Sequence, residues 1–252
     1  MATLVIGDLH GCGTEFQELL DIARRDRVDA RIILVGDLFT KGPRPDLVVD
    51  VISSLRAAGR RVESVCGNHD LRLMDALRKC DAGASLDELA PSEASAIRVL
   101  DRAGALTAAR RILIETISRP HLQGPGWTVL HGGIDPQLGL AGTSDFEKIH
   151  KKAAPGRPHW WESYRGDDGL IIVGHKPLPE PMVLRRNGEA IVVNVDTGCA
   201  YGGSLTAYCI EEDRLIRVPS RQPSRDGFGA TPVATAPRWA SAGPVRTFAR
   251  RP

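Results

Sequence analysis

The first third of the chain alternates short apolar runs with longer segments whose apolar residues recur at three- and four-residue spacing. Thr3–Gly7, Arg31–Gly36 and Val62–Cys66 read as buried strands. Between them, Thr14–Arg25 carries apolar residues at 16, 19, 20 and 23, and Pro45–Ala58 places Leu47, Val48, Val51, Ile52 and Leu55 on one helical face with Gly59 as its stop. Leu71–Lys79 is a third helix. A strand–helix order repeated three times predicts a parallel sheet with right-handed crossovers. Residues 80–120 lack strand patterning and read as helices broken at Gly83, Pro91 and Gly104, an insertion or cap. Strands resume at Trp127–Leu130, Leu170–Val173, Met182–Arg185, Ile191–Val195 and Leu205–Ile210. The last three are spaced like antiparallel hairpins, with turns at Asn187-Gly188 and Gly202-Gly203. A parallel half followed by an antiparallel half implies an α/β fold of two packed mixed sheets flanked by helices.

Composition changes this picture little. The 252 residues are 42% hydrophobic and 25% charged, as in ordinary globular proteins, and suffice for one large domain. A net charge of +2 is too small to argue for nucleic-acid or membrane binding. No targeting segment or membrane span is expected, and the five cysteines, none in a C-x-x-C pair, read as reduced thiols of a cytoplasmic protein. The expected organisation is one domain over 1–218, with 80–120 as the helical cap. The tail over 219–252 is basic, rich in Pro, Ser and Arg and without periodicity, and reads as disordered.

Candidate chemistry concentrates in five segments, each just after a predicted strand: Gly7-Asp8-Leu9-His10-Gly11, Gly36-Asp37, Gly67-Asn68-His69-Asp70, His131-Gly132-Gly133 and Gly174-His175. Ligands gather at the carboxyl ends of strands in open α/β sheets, so these residues can meet. Asp8 and His10 are two apart in extended chain and point the same way, which suits two ligands on one ion. The Asp37 carboxylate has two oxygens and can bridge two ions. Asn68 and His69 are adjacent and point to different sides, so one can bind metal while the other faces substrate. His131 and His175 can each bind through a ring nitrogen. Carboxylate, amide and imidazole donors without thiolate favour ions such as manganese or iron over a closed structural zinc. Two such ions ~3.5–4 Å apart can hold a bridging hydroxide and clamp a phosphoryl group. A lone Asp or His after a strand is usually a cap or a structural residue. All five segments in order are not explained that way.

These segments resemble the calcineurin-like metallophosphoesterases, in the branch of the phosphoprotein phosphatases, whose pattern is GDxHG, GDxxDRG, GNHE or GNHD, HGG and a final GH. The likeness runs from Gly7 to about Glu211. It implies a four-layer αββα sandwich with two metal ions between the sheets. Asp8, His10 and Asp37 would bind the first ion, and Asp37, Asn68, His131 and His175 the second. His69 would give a proton to the leaving group. One departure stands out. Thr40 and Lys41 occupy the places where protein phosphatases carry an aspartate that supports the catalytic histidine and a phosphate-gripping arginine. Losing that carboxylate weakens His69 as an acid.

The change, the following Gly-Pro, Gly67–Leu73 and Asp196–Thr206 resemble the bacterial symmetrical diadenosine tetraphosphatases, although bacterial Ser/Thr phosphatases share the Asp-Thr-Gly-Cys segment. A nucleoside diphosphate is a better leaving group than a serine alkoxide and needs less acid help. The expected activity is therefore symmetrical hydrolysis of diadenosine tetraphosphate to two ADP, with manganese first among the candidate ions and cobalt, iron(II) and magnesium behind it. Asp37 and His69 are the expected catalytic residues, and Lys41, Arg44, Asn68, Lys176 and Tyr201 the expected substrate contacts. The aromatic run His159–Arg165 reads as core packing, with adenine stacking as the alternative. His121, His150 and His159 are expected at the surface. Rival readings are a metal-dependent Ser/Thr or Tyr phosphoprotein phosphatase, an RNA 5′-cap pyrophosphohydrolase, and a non-catalytic scaffold, which should have lost ligands.

Overall fold

Strand β1 (Ala2–Ile6) turns Leu4 and Ile6 to one face and Val5 to the other, and the two faces enter different cores. The same period-two split recurs in β2 (Ala30–Leu34), where Ile32 and Leu34 face one way and Ile33 the other. A sheet apolar on both faces must be covered on both, and this is what makes the fold layered. The computed structural model describes residues 2–26, 30–154, 156–225, 228 and 239–241.

The first sheet also contains β3 (Val62–Ser64), β10 (Ser204–Cys209), β11 (Arg214–Pro219) and β12 (Trp239–Ser241), in the order β12-β11-β10-β1-β2-β3. The two-residue strand β9 (Asp196–Thr197) pairs with β10 off this path. β1, β2 and β3 are parallel, as the sequence predicts. The second sheet runs β4-β5-β6-β8-β7, made of β4 (His121–Gly124), β5 (Trp127–Leu130), β6 (Leu170–Val173), β7 (Met182–Arg186) and β8 (Glu189–Asn194). β7 and β8 form the expected hairpin around Asn187-Gly188, both in the positive-φ region. The expected continuation into a third antiparallel strand is corrected: β10 crosses to the first sheet and lies antiparallel to β1, with Leu4 opposite Cys209.

Val5, Ile33, Val35 and Val65 of the first sheet meet Trp127, Val129, Ile172 and Val193 of the second in the middle core. Helices α1 (Gly13–Arg25), α2 (Pro45–Ala57), α3 (Asn68–Asp81), α4 (Pro91–Arg102) and α5 (Leu106–Ile117) cover the outer face of the first sheet. The outer face of the second sheet is covered by Leu140, Trp160, Trp161 and Tyr164, from short helices and their flanks. The result is the expected two-sheet α/β sandwich with flanking helices. The stretch 80–120 is helical, with Pro91 opening α4 rather than breaking it and Gly104, at φ 66°, separating α4 from α5. Leu100 and Leu113 join it to the helix-side core, so it is packed into that layer.

The Trp160–Tyr164 cluster packs as core. His121, His150 and His159 are corrected to half-buried: one sits in β4, one takes its place through a ring nitrogen on Phe146 O at 3.0 Å, and one stacks on Trp161 at 4.2 Å. In the tail, Arg221 N donates to the buried Glu15 Oε1 at 2.8 Å, and β12 borders β11. The expectation of disorder otherwise falls outside the described residues. No helix among the described residues is long and apolar enough to cross a membrane.

Ile33 is fully buried between the sheets, whereas Ile114 is 55% exposed. Ile33→Ala should lower the unfolding free energy by about 2–5 kcal/mol, and Ile114→Ala should change it by less than about 0.5 kcal/mol. Urea denaturation of both variants checks this, and equal midpoints would contradict the placement of the middle core.

Candidate metal centre

Each segment singled out from the sequence follows a strand. Asp8 and His10 follow β1, Asp37 follows β2, Asn68 and His69 open α3 after β3, His131 follows β5, and His175 follows β6. Three of these strands belong to one sheet and two to the other, so the side chains meet across the shared edge of the sandwich.

Asp37 is central. Its Oδ2 lies 3.4 Å from His10 Nε2 and 3.5 Å from His131 Nε2, and its Oδ1 accepts from the His69 backbone N–H at 2.8 Å. Asp8 Oδ2 lies 3.9 Å from His10 Nε2, and the His175 N–H donates to Asp8 Oδ1 at 3.2 Å. Asn68 Oδ1 is 3.2 Å from His131 Nε2 and 2.9 Å from His175 Nδ1. Asp8, His10, Asp37, Asn68 and His131 are all buried.

The ring tautomers follow from the partners. His131 Nδ1 donates to Val35 O at 2.7 Å, so the neutral ring would turn its Nε2 lone pair toward the acceptor oxygens of Asn68 and Asp37. Acceptors facing acceptors require a proton or a cation between them. Burial works to lower the His131 pKa, but the Asp37 carboxylate outweighs it and pushes the ring up to about 10. Conversely, although burial opposes it, His131 holds Asp37 well below the usual carboxylate range. Burial takes His10 well below its ordinary value, and burial with the neighbouring His131 takes His175 down to about 3. Lys41 Nζ donates to His10 Nε2 at 2.8 Å, which leaves Nδ1–H directed at Thr40 Oγ1, 3.3 Å away. Burial and the nearby Asp196 raise Asp8 well above its usual range. Buried carboxylates, an amide oxygen and neutral imidazoles, short of donors, fit divalent cations. Ligating atoms of Asp8, Asp37 and His131 lie within 4.8 Å of one another, as do those of His10, Asp37 and His69, so Asp37 is common to two groupings.

The backbone supports this. His10, Asp37, Lys41 and His175 all have positive φ, from 44° to 72°. They are four of the six such non-glycine residues among those described, and Lys41 alone is not of a type that commonly adopts this conformation. Held strain concentrated in one cluster marks a functional site. Two glycines are required by close approach: a Cβ on Gly67 would strike Asp37 Oδ1, and one on Gly174 would strike Asp8 Oδ1.

Of the expected substrate contacts, Lys41 and Tyr201 come together, with the ammonium 5.2 Å from the ring centroid. Lys176 lines an open pocket of about 400 Å³ with Lys152, Arg157 and His159. Arg44 is exposed, its guanidinium forked onto Asp46 at 3.0 and 2.8 Å, and only its backbone N–H reaches the cluster's first loop, at Gly11 O 2.8 Å away.

Sequence reasoning assigned no role to three buried acids here. Asp70 Oδ2 accepts from Asp37 N at 2.8 Å and Gly67 N at 2.9 Å, and its Oδ1 accepts from Leu38 N at 2.9 Å, tying the Asp37 loop to the start of α3. Asp196 accepts from Gly198 N at 3.0 Å, and burial pushes it up to about 6. Glu93, from α4, places Oε1 3.9 Å from His69 Nδ1. The motif spacing signalled the first two; nothing in the sequence signalled the third.

The family model described as calcineurin-like phosphoesterase matches residues 1–199. The chain is a calcineurin-like phosphoesterase. As such it is a metal-dependent hydrolase. It is similar to the asymmetrical bis(5′-nucleosyl)-tetraphosphatase PrpE of Halalkalibacterium halodurans, with 28% identity covering 87% of this chain and 94% of that protein. It is also similar to the symmetrical bis(5′-nucleosyl)-tetraphosphatase of Janthinobacterium sp. (strain Marseille), with 27% identity over 90% of this chain and 99% of that protein. Its fold is shared with a crystal structure provisionally described as a diadenosine tetraphosphatase, at a TM-score of 0.65 and 22% identity, covering 87% of this chain and 93% of that one.

In this phosphoesterase, Asp70→Asn leaves a buried N–H without its acceptor, at a cost of about 1–3 kcal/mol, and frees the Asp37 loop. The variant should lose stability and bind divalent cations more weakly. Urea denaturation with calorimetric titration of the ion checks both, and unchanged values would remove Asp70 as the anchor.

Proposed function

We propose that this phosphoesterase hydrolyses dinucleoside polyphosphates, cleaving diadenosine tetraphosphate symmetrically to two ADP. The observation that carries the reading is the placement of cations: Lys41 stands beside His10, and Lys176 with its basic pocket stands beside His175. A polyphosphate crossing the centre would be neutralised beyond the reacting phosphorus, which a phosphomonoester does not need.

In this reading Asp8, His10 and Asp37 hold one divalent ion, and Asp37, Asn68, His131 and His175 hold a second, manganese in preference. The ions would supply charge neutralisation and an activated water. Asn68 also faces the phosphoryl group, Lys41 and Lys176 grip the phosphates, Tyr201 lines the cleft beside Lys41, and His69 gives a proton to the leaving oxygen. Arg44, paired with Asp46, adds charge only at longer range. The five cysteines are free thiols, which fits the cytoplasmic setting we infer.

Relatives of both regiochemistries are similar to this chain, so products decide. With manganese, diadenosine tetraphosphate should yield ADP alone, at a kcat/KM at least ~100-fold above that for a phosphoserine peptide, or ~2.7 kcal/mol of transition-state preference. ATP with AMP would make the cleavage asymmetrical, and a preference for the peptide would make the protein a phosphoprotein phosphatase. Asp37→Asn should weaken manganese binding and turnover together, by at least ~100-fold in kcat on the scale of losing a charge-stabilising group. A fully active variant would refute the shared role of Asp37.

A further inference from the structure

His69 Nδ1 is buried and has no hydrogen-bond partner among the described residues. An imidazole that gives up a proton from one nitrogen is held in tautomer and orientation by what the other nitrogen meets. Thr40 does not meet it, since its hydroxyl lies against His10. The carboxylate that approaches His69 comes from elsewhere in the chain. Glu93 Oε1 is 3.9 Å from His69 Nδ1. Glu93 is 3% exposed, in the first turn of α4, and its Oε2 accepts from Ser92 Oγ at 2.5 Å. One oxygen is thus fixed and the other remains for the ring. The gap is about 1 Å beyond hydrogen-bond reach, and such contacts often tighten only when substrate binds.

We propose that Glu93, carried by the helical stretch 80–120, is the positioning residue for His69, supplying from α4 the carboxylate that position 40 lacks. It would accept Nδ1–H of the protonated ring and hold the ring plane, so that Nε2–H passes to the leaving oxygen and the neutral ring keeps its Nδ1 proton. The helical layer thereby contributes to proton donation as well as to the core over the first sheet. This rests on the reading of His69 as proton donor. It does not depend on which nucleotide, if any, is the natural substrate.

A buried acid in the first turn of a helix also favours that helix by its charge, and a purely structural role would lower activity on every substrate alike. The test therefore compares two leaving groups on the full manganese-loaded chain: phenyl phosphate, whose phenoxide leaves poorly, and 4-nitrophenyl phosphate, whose phenoxide needs little protonation. Glu93→Gln should lower kcat on phenyl phosphate at least ~10-fold, at the low edge of what general acids contribute. On 4-nitrophenyl phosphate the loss should stay below about threefold, with KM and bound manganese unchanged. His69→Asn should show the same split, larger. The double variant should match His69→Asn within about twofold, because the two residues act as one unit. Equal losses of the Glu93 variant on both substrates, or losses that multiply in the double variant, overturn the proposal while leaving His69 in place. If His69→Asn itself shows no split, the proton-donor reading fails and the proposal with it. Should Glu93→Gln not accumulate as folded protein, Glu93→Asp, which keeps the charge but withdraws it by one methylene, is read by the same split.

Discussion

Asp37, Asp8, Asn68 and His131 are packed at 0–7% exposure with acceptor atoms turned on one another, and backbone N–H groups reach only some of their oxygens, from His69 onto Asp37 and from His175 onto Asp8. Buried negative charge without a partner is among the costliest things a fold can contain. Positive charge must come from a shared proton, from Lys41, or from bound cations. The rest of the site follows from that demand. Asp37 pushes the His131 ring up, Lys41 leans onto His10, and left-handed backbone recurs at four positions of the cluster. The same requirement explains why the walls are glycine: at Gly67 and Gly174 any side chain would displace the carboxylate it faces.

The two sheets make such a cluster tolerable. Neither sheet alone contains a complete set, since Asp8, Asp37 and Asn68 come from one and His131 and His175 from the other. The packing of Val5, Ile33 and Val35 against Val129, Ile172 and Val193 sets the separation of the two groups. Burial of apolar surface beneath the site offsets the electrostatic cost at its edge.

Much of this was legible in the chain. The parallel unit, the β7–β8 hairpin and the strand-end residues could be read because period, turn chemistry and metal-capable side chains are local signals. Two features could not. The crossing of β10 to the first sheet depends on its fit beside β1, some two hundred positions away, and its own apolar run would serve in either sheet. The approach of Glu93 to His69 depends on how α4 docks on α3, which the helical pattern of 91–102 does not encode. Asp70 lay in view within a recognised motif, but a carboxylate bonded to three backbone N–H groups looks no different in sequence from one that binds a ligand.

The pairing of β10 with β1 also has a temporal meaning. Ribosomes deliver β10 some two hundred residues after β1, so β1 must wait that long for a permanent neighbour on that side. Contacts this distant in sequence form slowly, after a large loop has closed. The site lags with it, because Asp196 and β9 dock through β10 and His175 arrives in the last third. A chain not yet extended through β10 therefore presents strands and scattered acids but no assembled centre.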